Sequence, residues 1–340
     1  MNAAPDAAGG APEVVCVGEA LVDLFPADEG ARGKALRDIA RFERHGGGAP
    51  ANTAVGLARL GVRAALCVML GDDEFGHFLH ESLQREGVML LARWTRAART
   101  GLAFVGWDAH GDRRFLFYRS PGADDFLDGE AVEAAGAAIR GARLLHLCTN
   151  TLIRDPARGA HRRAMEIAAA AGVPIACDLN LRVHLWPGGA SEAYGAAREM
   201  AAAATVLKAD RAEAEALTGE ADPVAAARAL AAAADGRRTR LACVTLGAAG
   251  AAWAVRDGAA GLVPAPAVAV ADTTGAGDAF SAALGAGLLR RGRSGGSARG
   301  GIAAALGAGE AEALVAAAVR AGSAAVTRVG ATAGMVRSLT

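Results

Sequence analysis

The chain has 340 residues, 52% hydrophobic and 21% charged, and its 36 acidic and 36 basic residues leave no net charge. That length and apolar content suffice for a substantial core in one large soluble globular domain, with or without an insertion. The even charge removes the electrostatic case for nucleic acid or an anionic membrane as partner, although a neutral whole can still hold a basic pocket for a phosphate. Residues 1–12, MNAAPDAAGGAP, have neither the basic start nor the apolar core of a signal peptide. They read as a disordered tail before a single domain at 13–340. No uninterrupted apolar run reaches membrane-spanning length. Cys16, Cys67, Cys148, Cys177 and Cys243 stand singly, mostly in apolar runs and without CxxC spacing. They fit buried thiols in a reducing cytoplasm and indicate neither a zinc site nor a redox pair. Lys34 and Lys208 are the only lysines, which reads as base composition and carries no functional weight.

Along the chain, short β-rich runs alternate with Ala-rich helical stretches. Strands are predicted at 14–18, 64–70, 143–148, 173–177, 205–208 and 241–246, and helices near 51–60, 74–86, 156–171, 190–203, 223–234 and 278–290. Nearly continuous apolar strands separated by helices predict an α/β fold, a doubly wound, mainly parallel sheet covered on both faces. Residues 100–125 break this rhythm, because apolar and polar residues alternate around the turn DAHGD at 108–112. That pattern predicts an antiparallel hairpin, either a sheet edge or a small flap joined by residues 20–45.

Four strand–helix junctions carry polar residues where an open parallel sheet gathers its ligands. Glu19 and Asp23 in GEALVDLFP are equally well read as an exposed acidic loop. GGGAPANTAVGLARLG, at 46–61, offers glycines for close backbone approach and the Asn52 amide in a first helical turn, or else a plain loop–helix joint. In DLNLRVHLWP, Asp178, Asn180 and Arg182 would share one side if the strand continued. Arg182 then either neutralises a transferring phosphoryl group or forms a surface ion pair. The most specific stretch is ADTTGAGDAFSAAL, at 271–284. Gly275, Ala276 and Gly277 present successive amides at a helix start, a ready anion hole. Asp278 beside them has the wrong charge to bind phosphate. Beyond a plain helix cap, it suits a base that takes a proton from an attacking hydroxyl. GDDEFG at 71–76 reads first as a helix start, and His77 and His80 as residues solvated on a helix face. A P-loop and a full GxGxxG spacing are both absent from the sequence.

Together, GGGAPANTAVGLARLG and DTTGAGDAF resemble the paired signatures of the ribokinase-like carbohydrate kinases, the phosphofructokinase B-type family. GDDEFG, DLNLR, VTLGAAG and VTRVGA follow in matching order, so the resemblance spans roughly 13–334. GEALVDLFP, YRSPGADD and DLNLRVHLWP look most like the bacterial fructokinase branch.

The resemblance implies a small antiparallel β lid, formed by about 20–45 and 100–120, over one kinase domain. It implies that Asp278 is the catalytic base, that Gly275–Gly277 hold the γ-phosphate, and that Asp23, Gly47, Gly48 and Asn52 hold sugar hydroxyls. Thr245, Gly247 and Gly250 match the loop along ATP. Mg²⁺ accompanies ATP in the family, and K⁺ often sits beside the anion hole, where Asp272 and Thr274 match two ligand positions and carbonyls near 325–334 others. The family's NxxE element is DRAE here, so Glu213 is kept while Asp210 replaces an amide. Ala49 stands where ribokinases carry lysine, which argues against ribose. The implied protein is a cytoplasmic ATP-dependent kinase acting on a primary hydroxyl, fructose first, and a homodimer through its lid. Arg119 could contact an acidic substrate, which keeps 2-keto-3-deoxygluconate kinase as the nearest alternative, ahead of a nucleoside kinase. A sensing module that lost the chemistry is the alternative of another class, and Phe115 and Phe117 are expected first as hairpin core.

Overall fold

Runs such as VVCV, AALCVMLG and LLHLC are buried along their whole length, which requires cover on both faces of the sheet they form. The computed structural model describes residues 10–28, 30, 33–107, 113–232, 240–256, 258–294, 302 and 306–339. Most of the expected tail and the DAHGD turn lie outside these. The strands of the large sheet are β1 (Val14–Val17), β4 (Ala64–Gly71), β5 (Met89–Thr95), β8 (Leu144–Cys148), β9 (Ile175–Asp178), β10 (Val206–Asp210), β11 (Leu241–Thr245), β12 (Ala251–Val255) and β13 (Ala260–Val263). Their order is β13-β12-β11-β10-β9-β8-β1-β4-β5, parallel from β11 to β5 and antiparallel at the β12–β13 edge.

The helices are α1 (Ala49–Arg59), α2 (Glu74–Arg85), α3 (Gly129–Ala134), α4 (Gly136–Gly141) and α5 (Ala157–Ala170). They continue with α6 (Gly189–Ala203), α7 (Arg211–Thr218), α8 (Pro223–Ala231), α9 (Ala276–Ser294) and α10 (Ala308–Ala325). One core, with α1, α2, α9 and α10, covers one face of the sheet, and a second, with α3 to α8, covers the other. This is the doubly wound architecture.

The chain builds outward from β1 through β4 to β5, then returns to lay β8 on the other side of β1. The winding therefore reverses between β1 and β8, and a crevice opens beyond their carboxyl ends. Over it lies a second sheet, β2 (Leu21–Pro26), β3 (Phe42–Gly47), β6 (Leu102–Trp107) and β7 (Arg113–Tyr118), in the order β3-β2-β6-β7. Its hairpin pairs are antiparallel, while β2 and β6, from separate excursions of the chain, pair in parallel. His77 and His80 are not simply solvated, since both rings lie over Trp94 with centroids 4.7 and 5.5 Å away.

Helices α1 and α9 approach so closely that a Cβ on Gly56 would sit 2.6 Å from the Ala282 Cβ. One turn nearer their N-termini lie Asn52 and Asp278. A Gly56→Val change must push the helices apart. It is expected to cost about 1–3 kcal/mol of stability, as overpacking does, and to lower kcat by disturbing that polar pair. Thermal unfolding and steady-state turnover read the two effects.

Candidate active site

The N-terminus of α9 is held by a carboxylate that never reaches the cavity. Asp272, 1% exposed, accepts hydrogen bonds from the amides of Thr274 (2.6 Å) and Gly330 (2.8 Å). The Ala271 amide donates to the Val326 carbonyl at 2.8 Å, tying the same turn to the segment after α10. Gly275 takes φ +79°, and a Cβ there would lie 2.0 Å from the Ala331 carbonyl oxygen, so only glycine fits. Gly275 and Gly277 line a cavity of about 390 Å³ beneath the lid. The Ala276 amide instead makes a long 3.4 Å bond to the Thr273 carbonyl. At the start of α9 the cavity edge is thus formed by the two glycines, and Ala276 does not line it.

Asp278 lines this cavity, only 9% exposed, and its Oδ2 accepts a 2.8 Å hydrogen bond from Asn52 Nδ2. Burial raises its pKa from 3.8 to about 6, and the nearby Asp178 charge adds to the rise. The Asn52 bond and the Lys208 charge oppose it. A carboxylate poised there is a competent base near neutral pH.

Lys208, a residue given no role in the sequence analysis, also faces the cavity. Its ammonium lies 2.8 Å from both oxygens of Asp178, and Ser281 Oγ donates to Asp178 Oδ2 at 3.1 Å. Burial works against the Lys208 charge, yet Asp178 above all, then Glu213 and Asp278, hold its pKa above the ordinary value. A Cβ on Gly277 would stand 2.8 Å from Lys208 Nζ, so that glycine admits the ammonium to the helix start. Lys208 also lines the cavity, placing a fixed cation beside the anion-binding turn. The available signal was a single lysine closing an apolar strand in an arginine-rich chain.

The DLNLR segment keeps its alternation but not its strand. Strand β9 ends at Asp178, Leu179 and Leu181 are buried, and Asn180 (φ 25°) and Arg182 (φ 47°) turn into the left-handed region to reach the cavity. Glu213 fixes this loop, accepting from the amides of Leu181 (2.7 Å) and Asp210 (2.8 Å). Asp210 Oδ1 accepts in return from the Glu213 amide at 2.8 Å, a capping box that opens α7. A carboxylate serves this cap as well as an amide would, which accounts for the DRAE departure.

On the lid side, Asp23 of β2 lines the cavity. Gly47 does not reach it, but a Cβ there would lie 2.3 Å from Asp23 Oδ2, so its part is to leave room for that carboxylate. Gly48 lines the cavity and passes against the Glu19 carbonyl, which a Cβ would meet at 2.6 Å. Phe115 and Phe117 of β7, an edge strand of the lid, are cavity wall and not hairpin core, with rings stacked 5.8 Å apart. Arg119 also departs from expectation. It is buried in an ion pair with Asp124 and does not line the cavity, so its charge is spent within the protein. Thr245 and Asp210 continue into an adjoining hollow of about 360 Å³ that Gly247 also lines. Gly250 sits behind it, at the turn into β12, where its carbonyl accepts from the Leu246 amide at 2.8 Å.

A buried carboxylate, a glycine-lined helix start, a fixed ammonium and a lidded polar cavity are together the arrangement that phosphoryl transfer to an alcohol requires. Residues 11–337 match the model of the pfkB family carbohydrate kinases, and the chain belongs to that family. Fructokinase-2 of Solanum habrochaites is 39% identical over 274 residues, 80% of each chain. Fructokinase-1 of Oryza sativa subsp. japonica is 41% identical over 283 residues, 82% of this chain and 83% of that one. Among solved structures, a fructokinase with bound ATP from Xylella fastidiosa superposes with a TM-score of 0.80 at 32% identity, covering 95% of this chain and 94% of the other. A fructokinase from Vibrio cholerae O395 bound to fructose, ADP and calcium gives 0.75 at 30% identity, covering 95% of both.

Because a raised pKa leaves Asp278 protonated at low pH, kcat/KM is expected to fall as pH drops through about 6, tenfold per unit below it. Asp278→Asn should remove that limb and lower kcat by about two to four orders of magnitude while sugar binding persists. A pH–rate profile beside calorimetric binding checks both; a near-normal rate in the variant contradicts the base.

Proposed function

We propose that this chain is a fructokinase, transferring the γ-phosphoryl group of ATP to a primary hydroxyl of fructose. The observation that carries the reading is the buried Asn52–Asp278 pair facing the anion-binding start of α9. The sugar lies between the lid and the sheet's carboxyl edge, held by Asp23, Gly48 and Asn52. Asp278 takes the proton as the hydroxyl oxygen attacks, and the amides of Gly275 and Gly277, with Lys208 and Arg182, offset the charge on the phosphoryl oxygens. The triphosphate leads toward Thr245 and Gly247, and a closed lid excludes water as a competing acceptor.

The donors present fit the family's cations. Among the described residues no group of three or more His, Cys, Asp or Glu could hold a metal alone. A divalent ion here suits Mg²⁺ bound by one or two carboxylates, Asp210 and Glu213, together with substrate phosphates. The hard oxygen of Asp272 and the carbonyls packed beside Gly275 suit a monovalent ion such as K⁺. Each ion would supply positive charge near the phosphates.

An acidic sugar substrate is disfavoured because Arg119 is committed to Asp124. The lid's exposed Leu116 and Tyr118, on its edge strand, support a homodimer through the lid. No helix among the described residues is long and apolar enough to cross a membrane, and the buried thiols suit the cytoplasm.

An ADP-release panel with fructose, ribose, tagatose, 2-keto-3-deoxygluconate and adenosine, with and without K⁺, tests this. Fructose is expected to give the highest kcat/KM. Inert fructose beside an active second sugar overturns the substrate, and binding without turnover of any of them overturns the enzyme.

A further inference from the structure

Where the winding reverses, Glu19 after β1 and Asn150 after β8 face each other across the crevice. Glu19, 0% exposed, accepts from Asn150 Nδ2 (2.9 Å), from the Ala49 amide (3.1 Å) and from Thr151 Oγ1 (3.2 Å). An ionised carboxylate only accepts, so the Asn150 amide cannot be turned over without setting oxygen against oxygen. Its NH₂ is thereby committed to Glu19, and its Oδ1 is committed to the opposite direction. Asn150 is 8% exposed and lines the cavity with Asn52 and Asp278, yet its Oδ1 is buried with no hydrogen-bond partner. Native interiors seldom leave such an oxygen unpaired, and a ligand is one of the few reasons they do.

We propose that Asn150 is a specificity-determining residue whose Oδ1 accepts a hydrogen bond from a hydroxyl of the bound monosaccharide, with Glu19 as its positioning residue. The proposal rests on the sugar-kinase reading and adds a chemical requirement. The substrate must offer a donor at this subsite. A deoxy position leaves the oxygen unpaired, and a carboxylate or keto oxygen sets acceptor against acceptor, with the Glu19 charge behind it. The subsite therefore requires a hydroxyl and refuses a carboxylate or carbonyl oxygen at that position, in keeping with the internal commitment of Arg119. Nothing in "CTNTL" announces this role, because it arises only when the two strand ends meet.

The test compares wild type with Asn150→Ala and Asn150→Thr on fructose and on its monodeoxy analogues, with ATP varied separately. Threonine keeps a donor for Glu19 but loses the carbonyl, so it carries the test where the alanine variant fails to fold. The fructose KM is expected to rise roughly tenfold or more, with the ATP KM unchanged. One deoxyfructose should be weakened by a similar factor in wild type and no further in the variant, the signature of a paired contact. Equal additional loss on every deoxy analogue, or a fructose KM within about twofold of wild type, overturns the proposal. If wild type ignores fructose but phosphorylates another sugar, the fructose reading fails and the same comparison on that sugar's deoxy series decides the role of Asn150.

Discussion

The hydrogen bond from Asn52 to Asp278 joins residues 226 positions apart, and the site depends on it. It requires α1 and α9 to start side by side on one face of the sheet. Gly56 against Ala282, one turn further along both helices, permits that approach. The bond also fixes the rotamer of a buried carboxylate whose charge is otherwise costly to keep. A carboxylate held this way loses little freedom when a substrate meets it, which is the source of much catalytic advantage. Sheet winding, lid and pocket arrange everything else around this pair.

Around that bond lies a cluster that would not be chosen for stability. Asp178, Glu213 and Asp278 are buried near Lys208, and the ammonium cannot neutralise them all. Asp178 takes the ion pair in full, with Ser281 as a further donor, which leaves Asp278 the less compensated group. Burial is the main reason its pKa is raised, and the Asp178 charge adds to it while Lys208 offsets only part of the rise. The same lysine therefore places a cation at the cavity wall while leaving Asp278 only partly compensated. Removing either member of the Lys208–Asp178 pair would leave a buried charge without a partner, a change that usually costs about 3–5 kcal/mol.

Much of this was legible in the sequence. Fully apolar strands such as VVCV had to be central and parallel, and the glycine turn before Asp278 marked the start of a helix facing the cavity. Less legible was anything that depends on strands meeting. MLLARWT is an edge strand, half-buried except for the exposed Trp94, and lacks the contrast that marks a central one. AGEAEALVAAAVRAGSAA forms α10, but alanine on every face hides its period. Phe115 and Phe117 alternate as a hairpin core would, and only the folded cavity shows which face they occupy. Arg119 and Lys208 were misjudged for one reason. Whether a cation serves a ligand depends on which carboxylate it meets, and Asp124 and Asp178 decide the two cases differently. Arg119 is consumed by its partner away from the cavity, whereas Lys208 is held by its partner at the cavity wall.

The lining of the cavity explains why cations belong to the reaction. Glu19, Asp23, Asp210, Glu213 and Asp278 face it, against Lys208 and Arg182. A triphosphate brought into such a space adds negative charge where carboxyl groups already outnumber cations, and a closing lid removes the water that would screen it. The positive end of the α9 dipole supplies only about half an elementary charge. The remaining balance has to travel with the nucleotide or be held beside the anion-binding turn. The acidic character that suits this pocket to hydroxyl groups is thus the same character that favours metal ions beside the phosphate, and the two halves of the site are joined by charge as much as by geometry.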